Sequence, residues 1–169
     1  YLHQEDSVWY AIDVKTGKRL WHYQTVHHDL WDYDLSPAPQ LVTINKDGKK
    51  IDAVASATKH GYVFVFDRVT GEPVFPIEEI PFPASDMEGE EAWPTQPIPT
   101  IPSFMRHEVT KENINPYFTD SLKQIWHARI DAAKTGLFQP PSDKYETIIL
   151  PGPLGGANYG NTGSNPEKG

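Results

Sequence analysis

Two stretches of this chain repeat one another at a set spacing, and that spacing governs what the chain can fold into. Residues 11–21 read Ala-Ile-Asp-Val-Lys-Thr-Gly-Lys-Arg-Leu-Trp, and residues 65–75 read Val-Phe-Asp-Arg-Val-Thr-Gly-Glu-Pro-Val-Phe. Asp13 and Asp67, Thr16 and Thr70, Gly17 and Gly71, Trp21 and Phe75 pair off at a single offset of 54 residues. A period of about 50 residues points to repeated β-units such as propeller blades.

The local chemistry agrees. Residues 7–12 and 62–66 are rich in β-branched and aromatic side chains, which suit a strand. Each is followed by Asp-x-x-Thr-Gly, where Asp can accept backbone hydrogen bonds and Gly tolerates positive φ. Each then continues into a second strand, 19–24 or 73–77, so each repeat is a hairpin with a chemically specified turn. Between them, residues 40–44 and 51–57 read as strands joined by Asn45-Lys46-Asp47-Gly48. The spacing therefore predicts a complete four-stranded blade over 38–80, preceded by the last hairpin of another blade at 7–24. Residues 147–169 open the next blade, with a Gly/Asn-rich tail ending in what resembles a third hairpin turn at 166–169.

Residues 81–146 break the period. Residues 81–102 are Pro-rich and acidic and are expected to be extended and irregular. Residues 119–134 carry Leu122, Ile125, Trp126, Arg129 and Ile130 at helical spacing, with Thr119 or Asp120 to cap the start and Gly136 to stop it. The expected fold is thus all-β: a partial β-propeller of about two blades of four-stranded antiparallel sheet, with a Pro-rich, partly helical insertion.

Sixteen Pro and twelve Gly raise the question of disorder, but five Trp, eight Tyr and seven Phe set between the turns favour a β-protein. A net charge of −8, with no basic run longer than Lys49-Lys50, argues against a nucleic-acid surface. The absence of Cys excludes disulfides and thiolate metal sites. No apolar run approaches the length of a membrane span and no signal-peptide pattern is present. The chain opens on Tyr1 rather than Met and is expected to be a piece of a longer protein.

Residues 27–34, His-His-Asp-Leu-Trp-Asp-Tyr-Asp, form the most unusual stretch: two His and three Asp directly after a strand, hence on a loop between blades. Three readings stand side by side. The loop is merely polar, with Trp31 packing on the blade. Or His27, His28 and Asp29 hold a metal, although adjacent His residues rarely face one ion. Or Asp32 is a general base against an aromatic wall that raises its proton affinity and excludes water. Lys59, in the turn Ala57-Thr58-Lys59-His60-Gly61, is either a solvated strand-end lysine or a partner of Asp32 across a shared pocket.

Residues 16–35 as a whole resemble the signature of membrane-type pyrroloquinoline-quinone (PQQ) glucose and polyol dehydrogenases. The Ala-x-Asp-x-x-Thr-Gly-x-x-x-Trp pattern is similar to that family's tryptophan-docking motif, with Phe75 replacing Trp in the second copy. Further matches are Ala57-Thr58-Lys59-x-Gly61, Pro94-Thr95-Gln96-Pro97, Gly136-x-Phe138-x-Pro140-Pro141-Ser142 and Leu150-Pro151-Gly152-x-x-Gly155-Gly156. The resemblance implies an eight-bladed propeller far longer than this chain. It implies Asp32 as the catalytic base, Lys59 as a cation bonded to the quinone of PQQ, and, more weakly, Asn158 as a PQQ contact near Tyr159. It implies hydride transfer from an aldose or polyol to PQQ, polarised by Ca²⁺ or Mg²⁺ whose ligands lie mostly outside this chain. It also implies a quinone or cytochrome as electron acceptor, the remaining blades as partners, and a periplasmic parent, possibly membrane-anchored. Lys59, rather than Arg, is like the glucose and ethanol types. The isolated chain is expected to be inactive, with open sheet edges that invite self-association. The competing reading is a non-catalytic PQQ-like repeat propeller serving as an interaction scaffold.

Overall fold

In a computed structural model, which describes residues 7–165, 167 and 168, the regular structure is mostly short antiparallel strands, joined by long loops and one α-helix. The hairpin turn expected at 166–169 lies partly outside those residues. The first hairpin pairs β1 (Val8–Ile12) with β2 (Arg19–Gln24), Trp9 opposite Tyr23. A three-stranded antiparallel sheet follows, in the order β3 (Gln40–Lys46), β4 (Lys49–Ala57), β5 (Val63–Asp67). The β3–β4 turn is Asp47-Gly48, both at positive φ (51° and 76°), the two-residue geometry that Asp-Gly favours because it matches strand twist.

The two repeats form the same turn. Asp13 Oδ1 accepts from the amides of Lys15 and Thr16, both at 2.9 Å, and the Gly17 amide donates to the Asp13 carbonyl at 2.8 Å. Asp67 Oδ1 accepts from Val69 at 2.8 Å and Thr70 at 3.0 Å, and the Gly71 amide donates to the Asp67 carbonyl at 2.9 Å.

Two expectations change. The fourth strand at 73–77 shrinks to an isolated bridge between Phe66 and Pro73 and one bond from the Val74 amide to the Val65 carbonyl at 2.9 Å. Pro73 and Pro76 carry no N–H, so this edge cannot complete a ladder. Conversely, the Pro-rich segment is not irregular throughout: β6 (Ile77–Pro81) pairs antiparallel with β7 (Thr95–Pro99). A two-stranded ribbon tolerates Pro81, Pro97 and Pro99 because each strand keeps an outer side needing no ladder donor.

Helix α1 (Asp120–Ala132) starts where expected, with Thr119 Oγ1 accepting from the Leu122 amide at 3.4 Å, but buries none of its residues. It ends short of Gly136, because β8 (Lys134–Gly136) pairs parallel with β9 (Thr147–Ile149). Residues 147–149 are therefore partnered by the segment leaving the helix.

Between the first hairpin and the sheet lies an aromatic layer. Trp9, Val54, Phe64 and Phe66 are buried there, with Trp21, Tyr23, Leu35 and Ile77 against them. Trp21 seals the joint between repeats: its Nε1 donates to the Arg68 carbonyl at 3.2 Å, and its indole lies flat on the Gly71 turn. A β-carbon on Gly71 would come within 2.6 Å of Trp21 Cγ, whereas one on Gly17 meets nothing within 4 Å. Both glycines have positive φ (78° and 68°), so they share the backbone penalty and differ in the clash alone. Gly17→Ala is expected to cost roughly 1 kcal/mol, and Gly71→Ala about 2–3 kcal/mol. Melting temperatures of the two variants in the full-length protein measure the difference; equal losses would mean that Trp21 does not dock there.

Candidate active site

A second core roots the loop that follows β2. Val26, Trp31, Tyr33, Leu137 and Phe138 are buried together, with Leu30, Tyr62, Phe82, Ile98 and Ile149 packed against them. The entry to the loop is clamped by the buried Gln96 of β7. Its Oε1 accepts from the His27 amide at 2.7 Å and its Nε2 donates to the His27 carbonyl at 2.8 Å, so one side chain serves as a strand partner.

Beyond the clamp the loop alternates. Trp31 and Tyr33 point inward: Trp31 Nε1 donates to the Gln139 carbonyl at 2.8 Å and Tyr33 Oη to the Pro151 carbonyl at 2.6 Å. Burial and the nearby Asp29 carboxylate raise the Tyr33 phenol above its ordinary range. Asp32 and Asp34, on the alternate positions, point outward on one side. Asp32 has φ 62°, a left-handed backbone that Asp tolerates better than most residues and that often accompanies functional sites.

Lys59 meets them from the β4–β5 turn. That turn is closed by Thr58, whose amide and Oγ1 both donate to the Tyr62 carbonyl at 2.9 Å, and by Gly61 at φ 89°. The Lys59 side chain is only 7% exposed, yet its ammonium has three acceptors. It donates to the Asp32 carbonyl at 2.8 Å, to Asp32 Oδ2 at 3.1 Å and to Asp34 Oδ1. Burial pulls the Lys59 proton affinity down, but the bonds to Asp34 and Asp32 outweigh it and hold the ammonium above the usual lysine range. The stem is boxed in by residues 151–156: the Gly156 amide donates to the Lys59 carbonyl at 2.7 Å, and a β-carbon on Gly155 would lie 2.5 Å from Lys59 Cα. Only glycine fits there, at φ 72°.

Asp32 and Lys59 are thus brought together, and Lys59 is not a solvated strand-end lysine. The aromatic wall expected beside Asp32 stands behind Asp29 instead. The Asp32 side chain is 71% exposed, while Asp29 is tucked behind Trp31, accepting from its amide at 2.9 Å and from Ser7 Oγ at 3.3 Å. Burial raises the Asp29 carboxyl above the usual range. The metal reading of 27–29 disperses. His27 Nε2 turns to Glu79 Oε1 at 3.0 Å and Asp29 to Ser7, and among the described residues no three His, Cys, Asp or Glu side chains gather as metal ligands. Asn158 is occupied locally, its Nδ2 donating to the Leu154 carbonyl at 2.9 Å and its Oδ1 accepting from the Tyr159 amide at 2.8 Å. Asp34, Gln96 and Gly155 all stand in stretches that resemble the family, but the sequence assigned none of them a role; for Asp34 the i, i+2 spacing from Asp32, which puts both carboxylates on one side of an extended loop, was the further signal.

A planar tricarboxylate quinone needs a fixed cation at its carbonyl edge, and Lys59 fits that demand: it is charged, its side chain is only 7% exposed, and the Asp32 side chain bonded to it is 71% exposed. Among the described residues no three His, Cys, Asp or Glu side chains offer a donor set for a divalent cation.

Comparison with known proteins shows the family. Residues 5–169 match the family model described as PQQ, glucose/ethanol/alcohol dehydrogenase, beta-propeller domain. The chain is 35% identical over 161 residues to the quinoprotein glucose dehydrogenase of Gluconobacter oxydans, covering 94% of this chain and 20% of that protein. It is 37% identical over 164 residues to the glycerol dehydrogenase large subunit of the same organism (94% and 22%). It is 35% identical over 168 residues to the quinate/shikimate dehydrogenase (quinone) of Acinetobacter baylyi (97% and 20%). Among solved structures it superimposes on a europium-containing methanol dehydrogenase with a TM-score of 0.52 at 21% identity, over 95% of this chain and 22% of that one, a likeness of fold. The chain spans about a fifth of the length of these curated relatives. With the repeat turns, the docked Trp21 and the paired Asp32 and Lys59 already in place, the match identifies this chain as a member of the PQQ-dependent glucose/ethanol/alcohol dehydrogenase β-propeller family.

Proposed function

We propose that the full-length protein is a periplasmic PQQ-dependent dehydrogenase oxidising an aldose or polyol, its electrons passing to a quinone or cytochrome. In it, this chain supplies the catalytic base and the cofactor-facing cation. The observation that carries the reading is the contact of Lys59 Nζ with Asp32 Oδ2 at 3.1 Å, which joins a buried lysine side chain to an exposed carboxylate. The relatives named above act, by their names, on glucose, glycerol and quinate, all compounds with secondary carbinols or hemiacetal hydroxyls.

The chain's own residues divide the work as follows. Lys59 would hold PQQ at its carbonyl edge, and bound PQQ would supply the two-electron oxidant that accepts hydride from the carbinol carbon. The Asp32 carboxylate, on a side chain 71% exposed, removes the hydroxyl proton through Oδ2 once that oxygen leaves Lys59 Nζ, which lets the C=O bond form. Lys59 Nζ gives up that same weak bond and turns its freed N–H to the cofactor oxygen, where negative charge builds. Gly155 and Gly156 hold the Lys59 stem and exclude water from it.

Titration of the full-length apoprotein with PQQ, followed by tryptophan fluorescence, tests the cation. Lys59→Met should weaken binding by at least about tenfold, the worth of one hydrogen bond to a charged group. Unchanged affinity in a variant of wild-type melting temperature would remove Lys59 from the cofactor site. A wild-type protein that binds no PQQ would favour the scaffold reading.

A further inference from the structure

The two carboxylates on Lys59 are not equivalent, and their difference deepens the reading above, on which this inference rests. Asp32 Oδ2 bonds at 3.1 Å from a side chain 71% exposed, on a backbone in the left-handed region. Asp34 is 29% exposed and is tied at both of its carboxylate oxygens: Oδ1 accepts from Lys59 Nζ, and Oδ2 accepts from Ser36 Oγ at 2.9 Å. Its own carbonyl accepts from the Ser36 amide at 3.1 Å, which closes the turn. Lys59 has three N–H groups and three acceptors, two of them on Asp32. For Lys59 to reach a cofactor oxygen while Asp32 reaches a substrate hydroxyl, one bond must open, and the Asp32 Oδ2 bond is the one at the solvent-facing edge. The Asp34 bond has no equivalent freedom, because swinging the carboxylate away would also break the bond to Ser36.

We infer that Asp34, braced by Ser36, is a positioning residue: the standing counter-ion that keeps Lys59 aimed at the cofactor edge while Asp32 is released to act as base. Asp34 touches neither substrate nor cofactor. Without it, Lys59 has one carboxylate left and closes onto Asp32, so the same pair that should separate for catalysis is drawn together. Lys59, Asp32 and Asp34 together carry one net negative charge, so removing the Asp34 charge also makes the site less repulsive to an anionic ligand.

These two consequences act in opposite directions, which separates positioning from mere scaffolding. In the full-length protein, Asp34→Asn keeps its one amide oxygen as acceptor for Lys59 and turns its NH2 to Ser36 Oγ, which can accept, but removes the charge. Its turnover should fall by about tenfold or more. Its affinity for PQQ, titrated by fluorescence, should stay the same or tighten by up to about tenfold. Ser36→Ala, which frees Asp34 Oδ2 and leaves every charge in place, should lower turnover by a smaller factor with PQQ affinity unchanged. That variant carries the test if Asp34→Asn fails to fold. Turnover within about twofold of wild type in both variants would overturn the inference. So would a loss of PQQ affinity, turnover and melting temperature together in Asp34→Asn, which would mark Asp34 as structural. The outcome is separable from the proposed function itself: wild-type turnover in an Asp32→Asn variant sinks the assignment of the base, whereas a dead Asp32→Asn with an unaffected Asp34→Asn sinks only the role of Asp34.

Discussion

In the full-length protein, Asp32→Asn should lower turnover of an aldose or polyol by about 10²–10⁴-fold. Its affinity for PQQ should stay within about threefold of wild type. The two halves of that result have separate causes in the loop. The amide is nearly isosteric with the carboxylate, and the Lys59 ammonium keeps its bonds to the Asp32 carbonyl at 2.8 Å and to Asp34, neither of which depends on the side-chain charge at position 32. The left-handed backbone at φ 62° also suits Asn as well as Asp. The cation therefore stays aimed, and cofactor binding survives. What is lost is a group able to take a proton. The amide oxygen is far too weak a base, and no other carboxylate stands in the same place, because Asp34 is committed to Lys59 and Ser36 and Asp29 is shut behind Trp31. Dye-linked turnover at saturating substrate, set beside a fluorescence titration with PQQ, measures both halves. Turnover within tenfold of wild type would assign the base elsewhere.

How far the sequence could be read depended on how local the chemistry was. The Asp-x-x-Thr-Gly turns were legible because Asp13 and Asp67 organise amides only two and three residues ahead. The docking of Trp21 on the Gly71 turn is long-range, and it was legible only through the likeness to the family's tryptophan-docking motif, since the repeat offset pairs Trp21 with Phe75 and not with Gly71. The β6–β7 ribbon was hidden by its prolines, which argue against a strand until one sees that the ribbon has only one ladder to satisfy. The convergence of Asp32 and Lys59, 27 residues apart, rested on a family resemblance and not on spacing. Where the aromatic wall expected beside Asp32 would fall was not legible for a plain reason. Asp29 and Asp32 both neighbour aromatics in sequence, and only the inward turn of Trp31 and Tyr33 puts one carboxylate behind the wall and the other before it. Gln96 stood in a family-like motif, but its role was not legible, since a glutamine that replaces a strand looks like any polar residue in a Pro-rich run.

His60, next to Lys59, should make the protein acid-sensitive in a way one substitution can relieve. Its ring is fully buried among Tyr33, Tyr62, Phe64 and Phe138, at centroid distances of 5.8, 5.8, 5.7 and 5.6 Å, and neither ring nitrogen has a hydrogen-bond partner. Burial, with a smaller push from His107, pulls its proton affinity down from 6.5 to about 3. The unfolded chain therefore binds a proton at this residue through the interval from 6.5 down to about 3, where the folded chain does not. Stability is whole above that interval and drains as pH falls through it, by about 1.4 kcal/mol per pH unit. His60→Phe replaces the imidazole with an apolar ring that suits the aromatic surroundings and removes both unpaired nitrogens. Near neutral pH it should be at least as stable as wild type, by up to about 1–2 kcal/mol. By about pH 4 its advantage should have grown by roughly 3 kcal/mol, because the titrating carboxylates are common to both proteins and only the histidine term differs. Melting temperatures of the two full-length proteins, followed from neutral pH into acid, measure that widening gap. Parallel curves would mean that the His60 ring finds a partner or a water in solution, and that the pocket beside Lys59 is wetter than its packing implies.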